Sequence, residues 1–71
     1  MSQVVEIDYT NWEGKRRTRL IRPTGVLLFE ENNYHKPAQW LLEALDLDTN
    51  KIKKFAVKDI HSWKPQPVEG M

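Results

Sequence analysis

The sequence predicts one small domain built mainly of antiparallel β-strands. Apolar and polar residues alternate at 3–9 with the period of a half-buried strand. Turn-forming residues, Asn with Gly at 10–14 and Asp with Asn at 48–51, separate segments of this kind. The length of 71 residues, of which 39% are hydrophobic, suits a single globular domain. We therefore place the domain at 1–64 and expect a flexible C-terminal tail at 65–71, where two prolines occur without any pattern.

The charge and the composition exclude several classes of protein. Eleven Lys and Arg stand against ten Asp and Glu, a net charge of +1, whereas dedicated nucleic-acid binders usually carry a larger positive excess. The absence of cysteine excludes disulfides, thiolate catalysis and Cys-based zinc sites. The longest apolar run, 26–29, is far too short to span a membrane, and residues 1–3 do not begin a signal peptide. We expect a cytoplasmic protein with no membrane partner.

The first half of the chain predicts a β-hairpin followed by a short buried strand. One face of the first strand carries three apolar residues, Val5, Ile7 and Tyr9. A second strand at 15–22 is expected to end at Pro23, because proline cannot donate a hydrogen bond within a sheet. Gly25 separates this strand from the apolar run at 26–29, which has the composition of a buried strand.

The segment 37–47 fits either a helix or a strand. Its local composition slightly favours a helix that begins at Pro37. As a strand, the segment would be apolar on both faces and therefore covered on both sides. The turn at 48–51 and the loosely alternating segment 52–63 favour the strand, because two strands joined by a tight turn form a hairpin. In either case we expect Trp40 and Phe55 to lie in the core.

Two motifs of the second half resemble those of the WYL domain family. That family is named after a Trp-Tyr-Leu tripeptide that opens a strand, and Trp40-Leu41-Leu42 stands in its place here. After the turn, the sequence Phe-Ala-Val-Lys-Asp-Ile at 55–60 resembles the family's Phe-x-Leu-x-x-Ile strand. The hairpin at 7–23 also resembles the family's first hairpin, and 34–42 resembles short stand-alone bacterial WYL-like proteins. The resemblance covers residues 4–63 and implies that 39–47 is a strand.

The resemblance implies a small Sm-like or SH3-like barrel of about five antiparallel strands. It also implies a regulatory module that binds nucleic acid or a nucleotide through basic residues. Leu41 replaces the polar aromatic residue of the tripeptide. Ala56 and Asp59 stand where the family pattern has arginines at the ligand face, and an aspartate repels phosphate.

The basic stretch at 15–22 is the strongest candidate for ligand binding. Strand alternation places Lys15, Arg17 and Arg19 on one face and Arg16 with Arg22 on the other. Arginines beside aromatic side chains suit phosphate contacts combined with base stacking. We expect weak binding of a nucleotide or single-stranded nucleic acid by Arg16, Arg17, Arg19, Arg22, Tyr34, His35 and Trp40. Alternatively, this stretch is a solvated edge strand whose charges prevent edge-to-edge aggregation.

A second function is also consistent with the sequence. Trp12 and Trp63 are difficult to place inside so small a core, and exposed tryptophans are enriched at interfaces. Small barrels with open edges also pair their strands with partners. The alternative is therefore a protein-interaction or accessory module without a small ligand. Such a module would dock a protein partner, or form a homo-oligomer, through a barrel edge.

The sequence offers little for catalysis or for a metal. His61 and Ser62 are adjacent, so on a strand their side chains point to opposite faces and cannot form a nucleophilic pair. His35 and His61 have no metal-ligand spacing, and the dispersed glycines do not form a phosphate-binding loop. We expect no enzymatic activity, no metal and no cofactor.

Overall fold

The computed structural model describes residues 3–67, which form five β-strands and one short 3-10 helix. The strands are β1 (Val5–Thr10), β2 (Arg16–Glu30), β3 (Gln39–Asp46), β4 (Lys51–Ala56) and β5 (Ile60–Pro65). The 3-10 helix, Val57–Asp59, connects β4 to β5. The predicted mainly β fold of about five antiparallel strands is confirmed. The strand at 39–47 is confirmed as well, although its local propensity favours a helix.

The five strands form one antiparallel sheet in the order β4-β3-β2-β1-β5. Within residues 3–67 the sheet is barrel-like but does not close, so β4 and β5 are its edges. Alternation on β1 buries Val5, Ile7 and Tyr9, as predicted. These three side chains form the core together with side chains from the three strands β2, β3 and β4, namely Ile21, Ala44 and Phe55. The described residues include no helix long and apolar enough to cross a membrane.

The predicted end of the second strand at Pro23 is wrong, because β2 continues as one strand to Glu30. Pro23 lies opposite Ala44, and the register with β3 shifts between Pro23 and Leu27. Gly25 lies in this irregularity with φ +94°, a value that side chains with a Cβ rarely adopt. A bulge is one of the few places where a sheet accepts proline, so these two residues bend the strand without ending it.

The segment 52–63, which alternates loosely in the sequence, belongs to two strands at opposite edges of the sheet. β4 pairs with β3, whereas β5 pairs with β1, and the 3-10 helix carries the chain from one edge to the other. β5 runs to Pro65, and the backbone N–H of Gln66 donates to the carbonyl of Val4 at 2.9 Å. Of the tail predicted at 65–71, the residues from 68 onward lie outside the described part.

The predicted core position is confirmed for Phe55 but is wrong for Trp40. Phe55 is 2% exposed, whereas Trp40 is 52% exposed. Trp40 lies opposite Phe29, near the end of β2. β1 pairs with β2 only between Arg16 and Ile21, far from that end. Trp40 therefore extends beyond the part of the sheet that packs into the core, and its ring contacts Phe29 edge-on with 5.2 Å between ring centroids.

Candidate functional site

A groove with a volume of about 560 Å³ lies beside β4. Its floor is formed by Tyr9 and Phe55, whose rings meet edge-to-face with 5.0 Å between centroids. The hydroxyl of Tyr9 accepts a hydrogen bond from the backbone N–H of Ala56 at 2.9 Å. Burial raises the pKa of the Tyr9 phenol, so the hydroxyl stays protonated at neutral pH. The floor is thus a fixed apolar surface that ties β1 to β4.

Two exposed aromatic rings form one side of the groove. Trp12 and Tyr34 are each 59% exposed, and their ring centroids lie 5.2 Å apart at an interplanar angle of 51°. Trp12 comes from the β1–β2 turn and Tyr34 from the loop at 31–38. Each segment is ordered by an asparagine that caps neighbouring backbone N–H groups. The Oδ1 atom of Asn11 accepts from residues 13 and 15, and that of Asn32 accepts from residues 34 and 35.

A buried carboxylate holds two cations at the groove. Asp46 is fully buried, and its Oδ2 atom lies 2.9 Å from Arg19 Nη1 and 3.1 Å from Lys53 Nζ. Both cations line the groove, as does Lys54, which pairs with Glu30 at 2.7 Å. Among the described residues, the buried Nε of Arg19 has no hydrogen-bond partner. The groove therefore combines aromatic rings with three positively charged side chains.

The pKa of the Asp46 carboxyl lies below its ordinary value. Burial by itself would raise this pKa. The hydrogen bonds from Lys53 and from the backbone N–H of Asp48, with the charges of Lys53 and Arg19, outweigh burial and lower it. Asp46 is consequently ionised at neutral pH and keeps both cations in place.

We expect the stability of the domain to fall as the pH is lowered through the acid range. The pKa of Asp46 is lower in the folded state than in the unfolded chain, so the unfolded state binds more protons in acid. The stabilisation by Asp46 is complete above its unfolded pKa of about 4, and it is lost as the pH falls through the lower folded pKa. Urea unfolding followed by tryptophan fluorescence, from neutral pH downward, measures this dependence.

The control for this pH dependence is Asp8→Asn. A hydrogen bond from Arg16 also lowers the pKa of Asp8, but that ion pair is exposed and contributes little. The Asp8→Asn variant should therefore still lose most of the stability that the wild type loses on acidification. An unfolding free energy that stays constant or rises on acidification would contradict the buried ion-pair geometry of Asp46.

The groove brings together some of the residues that the sequence predicts as ligand-binding. Arg19, Tyr34 and His35 all line it, and so does Trp12, which the sequence suggests as an interface residue. Arg17 lies on the same sheet face as Arg19, 4.0 Å from a carboxylate oxygen of Asp48.

Other predicted residues lie away from the groove. Arg16 is on the opposite sheet face, where Nε and Nη2 bind the Asp8 carboxylate at 2.9 and 2.8 Å. Arg22 is paired in register with Leu45, on the face opposite Arg19. Trp40 packs on Phe29. Trp63 is 47% exposed and borders a second depression beside Gly25 at the β5 edge.

Sequence reasoning missed seven groove residues, namely Tyr9, Asn11, Asn32, Ile52, Lys53, Lys54 and Phe55. A signal for Lys53 was present, because strand alternation puts Lys53 on the same face as Phe55. The contribution of Tyr9 depends on its hydroxyl reaching across to β4, which only the packing of the strands defines. Within residues 3–67, no group of three or more His, Cys, Asp or Glu side chains is placed to hold a metal ion.

Comparison with protein families agrees with the resemblance seen in the sequence. The family model of the WYL domain matches residues 1–65, which is nearly the whole chain. Neither the curated proteins nor the solved structures gave a match. WYL domains are in general binding or regulatory modules rather than catalytic ones. With this match and the mainly β fold, the chain belongs to the WYL domain family.

Proposed function

We propose that this WYL domain binds a nucleotide or a short stretch of single-stranded nucleic acid in the groove beside β4. The observation that supports this most directly is the meeting of exposed aromatic rings and cations in one groove. Single-stranded nucleic acids are bound in this way, with bases stacked on aromatic side chains and phosphates held by positive charge. In this proposal Trp12 and Tyr34 stack a base, while Arg19, Lys53 and Lys54 attract the phosphate.

The charge balance predicts weak binding. The three cations of the groove are paired with two carboxylates, those of Asp46 and Glu30, so the cluster carries one surplus positive charge. An affinity in the range of non-specific contacts, roughly 10⁻⁴ to 10⁻⁶ M, is expected from such a site.

Ala56 and Asp59, which stand where the family pattern has arginines, supply no charge inside the groove. Ala56 is fully buried at the end of β4, and Asp59 lies 3.4 Å from Lys58 Nζ in the 3-10 helix. Neither residue lines the groove. Their identities therefore leave the groove cations unchanged, and the carboxylate of Asp59 is already opposed by a neighbouring lysine.

Fluorescence anisotropy with a labelled single-stranded oligonucleotide tests the proposal. Trp12→Ala should weaken binding about tenfold, because stacking one base contributes about 1–3 kcal/mol. Lys54→Gln should reduce the slope of log affinity against log salt by about 0.7, the value for one lost phosphate contact on a single strand. Both side chains are substantially exposed, so the fold should persist.

Matched controls separate the groove from the rest of the surface. Phe29→Ala removes an aromatic ring of similar exposure outside the groove, and Lys58→Gln removes an exposed lysine outside it. Both controls should bind as the wild type does. The absence of binding even at low salt, or an equal loss in Phe29→Ala and Trp12→Ala, would contradict the proposal.

Protein docking through the β5 edge is the second candidate function. It is favoured by the half-exposed Trp63, which borders a depression of about 350 Å³ with Val5 and Pro23 beside an unpaired strand edge. Sedimentation over a range of protein concentrations tests the homo-oligomer form of this candidate. Trp63→Ala should then shift the assembly towards monomer with little dependence on salt, whereas a wild type that stays monomeric contradicts it.

A further inference from the structure

The groove follows the edge of β4 rather than one of its faces. Four consecutive residues of this strand, Ile52, Lys53, Lys54 and Phe55, line it. Successive side chains of a strand point to opposite faces, so a site on one face would contact only every second residue. A continuous run of four indicates that the main chain along the outer edge of β4 forms one side of the groove.

The hydrogen-bonding direction of β4 agrees with this. Ala56 lies opposite Leu41 of β3, yet its N–H donates to the hydroxyl of Tyr9. In an antiparallel ladder, residue pairs that exchange N–H···O=C bonds alternate with pairs that do not. Along one strand, the main-chain N–H and C=O groups of every second residue therefore point to the same side. The main-chain groups of Lys54 and Ile52 therefore share the direction of Ala56 and point away from β3. Since β4 is an edge strand, they point towards the groove.

We propose that the outward main-chain N–H and C=O groups of Ile52 and Lys54 hydrogen-bond the edge of a nucleobase that is stacked beside Trp12. This inference rests on the proposed function, in which the base is only stacked, and adds that the main chain of β4 hydrogen-bonds the edge of that base. A nucleobase edge presents neighbouring donors and acceptors, which a strand edge complements with its own alternating groups.

The size of the free edge favours a base over a peptide strand. The N–H of Ala56 is occupied by Tyr9, and Ala56 does not line the groove. Among the described residues of β4, only Ile52 and Lys54 therefore offer outward main-chain groups there. An added peptide strand uses a longer row of main-chain bonds. One planar base requires only two or three bonds, and the exposed rings of Trp12 and Tyr34 supply the stacking surface that a base uses.

Proline substitution at Ile52 tests the inference. Ile52→Pro removes the outward N–H, and an edge strand accepts proline where the N–H faces away from the sheet. Ile52→Ala is the matched control, because it removes the side chain and keeps the N–H. Both variants are titrated with a homo-oligonucleotide of deoxyadenosine and with an abasic oligonucleotide of the same length, and circular dichroism monitors their folding.

We expect Ile52→Pro to fold and to bind the base-carrying oligonucleotide about three- to tenfold more weakly than Ile52→Ala, the loss of one hydrogen bond. Both variants should bind the abasic oligonucleotide equally. An unfolded Ile52→Pro would show that the N–H faces β3, and equal affinities of the two variants for the base would show that the N–H is unused. Either result overturns the inference. Wild-type binding of both oligonucleotides with equal affinity overturns the inference together with the stacking by Trp12 and Tyr34, but leaves phosphate binding intact. No wild-type binding at all overturns the proposed function itself.

Discussion

Asp46→Ala is expected to unfold the domain at room temperature. The carboxylate of Asp46 is fully buried, and Arg19, which it pairs with at 2.9 Å, keeps only 12% of its side chain exposed. Removing one partner of a buried ion pair costs about 3–5 kcal/mol, because the remaining charge is left uncompensated. A domain of this size has only a few kcal/mol of stability in total. The variant should therefore lose its cooperative urea-unfolding transition.

The matched control for this variant is Asp48→Ala. Asp48 is half-exposed and its carboxylate lies 4.0 Å from Arg17, an arrangement that contributes at most about 1 kcal/mol. The free energy of unfolding of Asp46→Asn should lie between those of Asp46→Ala and Asp48→Ala. The amide oxygen can still accept a hydrogen bond from the backbone N–H of Asp48, although the charge is lost. A midpoint of urea unfolding that is the same for Asp46→Ala and the wild type would contradict the role of Asp46. Its side chain would then not hold Arg19 and Lys53 at the groove.

Phe55→Ala is expected to destabilise the domain by about as much as Asp46→Ala does. Phe55 is 2% exposed and packs edge-to-face on Tyr9 in the core. Truncating a buried phenylalanine costs about 3–5 kcal/mol, from the lost transfer free energy and the cavity that remains. Thermal unfolding followed by circular dichroism should show little or no folded protein at room temperature.

Trp40→Ala and Phe29→Ala are the controls for the aromatic core. Both side chains are more than half exposed, and their rings contact each other edge-on. Losing this contact should cost about 1 kcal/mol, the contribution of one aromatic pair. The sequence alone places Trp40 in the core and so predicts an equally large loss of stability for Trp40→Ala. This comparison therefore also tests the position of the core. A stable Phe55→Ala, or an unfolded Trp40→Ala, would contradict the packing described above.

The sequence predicts the strands wherever the local pattern reflects burial. Alternation identifies β1 because one of its faces is in the core. The turn at 48–51 outweighs the helical propensity of 39–47, because hairpin pairing is a stronger constraint than propensity. The continuity of β2 was not predictable in this way. Pro23 and Gly25 usually end a strand, and only the register with β3 shows that they form a bulge within one.

The candidate site was only partly predictable for a related reason. Arg19 was identified from its charge and its position on a strand, and Tyr34 and His35 from their place before the Trp-Leu-Leu motif. The exposure of Trp40 depends on how far β1 extends along β2, which no local pattern encodes. The exposed main chain of β4 depends on the order of strands in the sheet.

Chemical-shift mapping by NMR tests the central claim most directly, namely that the groove beside β4 is the ligand site. Isotope-labelled protein is titrated with a single-stranded oligonucleotide at low salt. We expect shifts of the amides at 52–55, of Tyr34 and His35, and of the indole N–H of Trp12. The amides of Arg16 and Arg22, on the opposite face, should be unaffected. Shifts confined to Trp63 and β5, or spread over the opposite face, would contradict it.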